Sequence, residues 1–75
     1  MEMIRTGMKL VTTKSLRPLG DFYPTKGDRL VVGQFDAVQG RWSVIGFAKL
    51  RAGSAISEMR FYLTEKQITE YCAEA

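Results

Sequence analysis

Between Asp28 and Leu50 the chain reads DRLVVGQFDAVQGRWSVIGFAKL, and this stretch decides what the remainder can fold around. Val31, Val32, Phe35, Val38, Trp42, Val44, Ile45 and Phe47 are β-branched or aromatic, the side chains that pack best on a pleated, half-buried surface. Gly33, Gly40 and Gly46 would each weaken a helix by ~1 kcal/mol relative to alanine, whereas in a sheet they mark bulges, turns and close approaches. The reading is two strands joined at Gln39-Gly40, with the glycine taking the positive φ that a type I turn with a bulge requires. Along the second strand Trp42, Val44, Gly46, Ala48 and Leu50 share one face, and Arg41, Ser43, Ile45, Phe47 and Lys49 share the other. Both faces are partly apolar. A one-sided hairpin would leave Ile45 and Phe47 in water, so the pattern predicts a sheet bent at Gly33 and Gly46 until it closes on itself, or one covered by a second layer.

The flanks supply the other elements. MKLVTTKS, Met8 to Ser15, reads as a first strand with Met8, Leu10 and Thr12 on one face. A long connection follows, Leu16 to Gly27, broken by Arg17-Pro18, Gly20 and Tyr23-Pro24. Proline biases the residue before it towards extended geometry, which predicts extended backbone at Arg17 and Tyr23. Leu19 and Phe22 read as plugs at one end of the core, and Tyr23 as an exposed contact. Residues 51–57 form a small-residue turn around Gly53-Ser54, and Ser57 to Leu63 alternates with Met59, Phe61 and Leu63 inward. Thr64 then opens a helix, with Gln67 three residues on to complete a capping box, Leu63 placed to staple against Ile68, and Glu65 at the positive end of the dipole. Ile68, Tyr71 and Cys72 make its buried stripe.

These elements predict one α+β, mainly β domain over 1–75: an arm at 1–7 outside the fold, a sheet within 8–63 and a C-terminal helix over 64–74. The sheet is expected to be a four-stranded bent antiparallel sheet or a partly open barrel, with strands near 8–15, 29–38, 41–50 and 57–63. A chain of 75 residues buries only about 60–65% of the surface its unfolded form exposes, which leaves little room for an enclosed catalytic cavity.

The chemistry available is narrow. There is no histidine, and Cys72 is the single cysteine, so an internal disulfide and the common zinc ligand sets are excluded. No nucleophile–base pair or clustered carboxylates can be read from the spacing, and the expectation is a protein that is not an enzyme and uses no cofactor or metal. MEMIRTGMK is too polar for a secretory signal and no apolar run approaches a membrane span, which predicts a cytoplasmic protein without a membrane partner. Met1, Met3 and Met8 offer three possible starts. The net charge of +3 is unevenly spread: residues 1–27 carry Arg5, Lys9, Lys14, Arg17 and Lys26 against Glu2 and Asp21, whereas residues 57–75 carry two basic and four acidic side chains. A basic body with an acidic tail favours an acidic partner.

The turn Lys26-Gly27-Asp28 followed by Arg29-Leu30-Val31-Val32 resembles the turn and second strand of small SH3-like barrels, over about residues 22–63. The resemblance implies a barrel; the aromatic motif of proline-peptide-binding SH3 domains is not matched. In size and style the chain also resembles the short proteins with which bacteriophages bind and redirect host enzymes, such as RNA polymerase or a nuclease. Two functions follow as expectations. The first is a small regulator that docks on a larger protein, as a monomer or weak homodimer, with Arg17, Tyr23, Arg41, Arg60 and Tyr62, alongside Trp42, as the aromatic and arginine contacts that dominate interfaces. The second is a nucleic-acid binder that contacts phosphates through Lys9, Arg29, Arg41, Lys49, Arg51 and Arg60 and stacks bases on Tyr62.

Overall fold

Five antiparallel strands in one open sheet and one C-terminal helix make up the computed structural model, which describes residues 3–20, 24–49 and 56–75, apart from the side chains of 47–49, 56 and 57. In chain order these are β1 (Lys9–Thr12), a 3-10 turn (Arg17–Leu19), β2 (Arg29–Asp36), β3 (Arg41–Lys49), β4 (Ile56–Leu63), α1 (Glu65–Tyr71) and β5 (Cys72–Glu74). The spatial order is β4-β3-β2-β1-β5. Within 28–50, residues 29–36 and 41–49 are strand and 37–40 are the turn between them, in keeping with the composition of the stretch.

The strand count is five rather than four, and no closure of the sheet into a barrel is found among the described residues. The difference lies in the predicted helix of 64–74. Its N-terminus forms as expected: the Thr64 hydroxyl accepts the Gln67 N–H at 3.1 Å, and the Thr64 N–H donates to Gln67 Oε1 at 2.9 Å. Leu63 and Ile68 are both fully buried in one cluster. The helix stops after seven residues, and Cys72 turns extended at φ −133°, ψ 162°. Cys72, Ala73 and Glu74 then pair with Thr12, Val11 and Leu10. So short a helix has little stability of its own, and the open edge of β1 offers these residues a ladder of hydrogen bonds instead.

One face of the sheet carries the core. Met8, Leu10, Leu30, Val32, Val44, Phe61, Leu63 and Cys72 are buried there with Leu16 and Ile68, so that α1 covers this inner face. Ile4 joins them, and the Gly7 N–H donates to the Val32 carbonyl at 2.8 Å, so residues 4–7 belong to the fold and are not an arm outside it. The connection after β1 departs from extended geometry at Arg17, which opens the 3-10 turn. The buried Leu16 anchors that turn by accepting from the Leu19 N–H at 2.9 Å, and Ser15 Oγ accepts from the Arg17 N–H at 3.1 Å. These local bonds outweigh the bias that Pro18 imposes on the residue before it.

The two glycines read as bends serve different ends. β2 uses three steps from Val32 to Phe35 where β3 uses two from Val44 to Trp42, a bulge that contains Gly33. A Cβ there would strike the Ser43 hydroxyl, which instead accepts the Gln34 N–H at 2.8 Å. Gly46 lies in regular register opposite Leu30, whose Cδ2 fills the space a Cβ would need. It is a packing site without a bulge.

Candidate functional site: the outer face of the sheet

Opposed residues on neighbouring antiparallel strands project to the same side, so the register fixes what the uncovered face displays. One row crosses four strands as Lys9, Val31, Ile45 and Arg60. The next sets Ala73 beside Val11 and Val11 beside Arg29. On the other flank Tyr62 lies opposite Ser43, and the Arg41 guanidinium rests over the Tyr62 ring, 5.3 Å from its centroid. Lys9, Arg29 and Arg60 are exposed, Val31 keeps 41% of its surface in water and Tyr62 44%. Ile45 between them is half-buried. The centre is aliphatic and the surround cationic. The second layer that both apolar faces of the hairpin suggested is present on the inner side alone among the described residues.

Two local arrangements keep this face positive. Asp36 pairs in register with Arg41, yet its carboxylate turns into the hairpin loop, where Oδ1 accepts the Val38 and Gln39 N–H groups at 2.9 and 3.3 Å. Arg41 Nη2 hydrogen-bonds the Gln39 side chain, and its Nε is buried without a partner. The acidic C-terminal region is engaged elsewhere: Glu74 pairs with Arg5 at 3.0 Å and Glu70 lies 3.8 Å from Lys14, which also sits 4.8 Å from the Tyr71 ring centroid. Glu58 is the acidic side chain that shares the outer face with Arg60.

Of the residues singled out in the sequence, Lys9, Arg29, Arg41, Arg60 and Tyr62 come together here. Arg17 is exposed on the 3-10 turn, outside the sheet. Lys49 ends β3 opposite Ile56, and its side chain is not described; Tyr23 and Arg51 lie outside the described residues, as do Phe22 and the Gly53-Ser54 turn. Trp42 is on the inner side, packed against the core with its ring 5.1 Å from that of Phe35. The aliphatic centre of the face was missed as a site, because Val31 reads as core until its cross-strand partners are known.

Cys72 is buried, and burial pushes its thiol from 9.0 up to about 11, so the protonated thiol predominates at neutral pH. Among the described residues no trio of Cys, Asp or Glu is placed to hold a metal ion, and no helix is long and apolar enough to cross a membrane. Fold and site define a small open-sheet β protein with a cationic, part-apolar face. Compared with protein families, curated proteins and solved structures, the chain finds no match.

Proposed function

We propose that this is a non-enzymatic interaction protein that docks the outer face of its sheet onto an acidic, part-apolar surface of a larger protein and modulates it. The observation that carries the reading is the row Lys9-Val31-Ile45-Arg60: an aliphatic centre able to exclude water, flanked by cations that select an acidic partner. The likeness in size and style to phage host-takeover proteins makes a host enzyme such as RNA polymerase or a nuclease a fitting target. An SH3-like reading of the sheet goes with it, supported by the Lys26-Gly27-Asp28 turn at the start of β2 and by β5 lying beside β1.

A second reading, single-stranded nucleic acid on the same face, is favoured by one observation. The half-exposed Tyr62 ring carries Arg41 over it, a pairing that suits base stacking beside phosphate contacts, and α1 with its acids covers the opposite face. Capture from lysate with and without nuclease, using wild type and a Lys9→Glu/Arg29→Glu variant, separates the two. Docking predicts a protein partner retained after nuclease and lost with the variant. It also predicts binding of mixed-sequence oligonucleotides no tighter than ~10⁻⁴ M near physiological salt, the background level of a weakly basic domain. Submicromolar binding that falls steeply with salt would overturn docking in favour of the second reading.

A further inference from the structure

β4 ends the sheet. Among the described residues it pairs with β3 alone, in unbroken register from Ile56 to Leu63, and it contains no proline or bulge. Such an edge presents alternate backbone N–H and C=O groups to any strand of matching register, and isolated proteins commonly blunt it with proline, bulges or charged side chains. The opposite edge, β5, is only three residues long. β4 carries two charges of opposite sign, Glu58 and Arg60, on either side of Met59. Both are exposed on the outer face, and among the described residues neither takes part in an ion pair. With Met59 and Ile45 they line a shallow depression at this edge.

We infer that β4 pairs antiparallel with β4 of a second copy of this chain, about a two-fold axis at Met59. That axis sets Glu58 of each copy opposite Arg60 of the other, giving two cross-strand ion pairs, and it keeps both cores on the same side of a continuous sheet. Charge also selects the register. An axis at Glu58 would oppose carboxylate to carboxylate, and an axis at Arg60 guanidinium to guanidinium. An axis between residues would turn the core faces to opposite sides. The pairing engages Arg60 as well as Glu58 of each copy, and leaves Lys9, Arg29 and Arg41 as the cations of two outer faces set side by side.

Sedimentation equilibrium on the whole chain tests this. Wild type should dimerise, and Glu58→Arg and Arg60→Glu should each weaken the dimer at least about tenfold, because each replaces both attractions with repulsions. The swapped double variant Glu58→Arg/Arg60→Glu should dimerise again. An equimolar mixture of the two single variants should form the mixed dimer in preference to either parent, which a misfolded variant could not do. A wild type still monomeric at about 1 mM, or single variants that dimerise as well as wild type, would overturn the inference.

Discussion

Thr12 shows how much one side chain can organise. Only 2% exposed, its hydroxyl donates to the Thr25 carbonyl at 2.6 Å and accepts the Asp28 N–H at 2.9 Å. Its own N–H and C=O meet the Asp28 carbonyl and the Gly27 N–H at 3.0 and 2.9 Å. Asp28 Oδ2 closes the turn on the Thr25 N–H at 2.9 Å, and Gly27 takes φ 91°, where a Cβ would be strained. Thr12→Val keeps the shape and removes the hydroxyl, so stability should fall by about 1–3 kcal/mol from the unsatisfied partners, read as a lower denaturant midpoint at constant slope. The inward direction of Thr12 was legible from its alternation with Met8 and Leu10. Its partners were not, because a residue sixteen positions away enters hydrogen-bond range only when β1 and β2 pair, and spacing in one strand carries no cross-strand register.

Among the elements, α1 separates local from tertiary control. Its start is written in Thr64, Gln67 and Leu63, so Thr64→Ala should cost about 0.5–2 kcal/mol in chemical denaturation; an unchanged midpoint would mean that the reciprocal cap contributes nothing. Its end is not written locally. No glycine follows Tyr71, and helical spacing carries the apolar stripe on to Cys72, whereas the residues from Cys72 to Glu74 follow the vacant edge of β1. β2 was legible by composition but not in the facing of its far end. One inserted residue at Gly33-Gln34 brings Phe35 to the Trp42 side, half-exposed, at a place where strict alternation with Val32 would have sent it outward.

For the molecule as a whole, the buried thiol ties stability to pH. The Cys72 thiol ionises near 9.0 when unfolded and near 11 when folded, so its contribution is complete below pH 9 and is lost as pH rises to about 11. The loss is at most about 2–3 kcal/mol, and Cys72→Ala should show a correspondingly smaller drop in unfolding free energy between pH 8.5 and 11 (range set by about two pKa units). The core of the molecule was readable from the sequence because alternation alone assigns it: Met8, Leu10, Val44, Phe61, Leu63 and Ile68 are all buried as their periods require. The outer face was readable only as a set of cations, since the row from Lys9 to Arg60 exists by virtue of three strand pairings that no single segment encodes. The join between β1 and β5 has a mechanical corollary. The two strands are antiparallel, and Ala75 bonds to Lys9 at the end of the ladder from which both flanks of the chain lead away, with Thr13 and Tyr71 bonded at the far end. Once Ile4 and the Gly7–Val32 bond had given way, tension on those flanks would load the rungs one after another like the teeth of a zipper, whereas a shear geometry would set all the rungs against the pull at once.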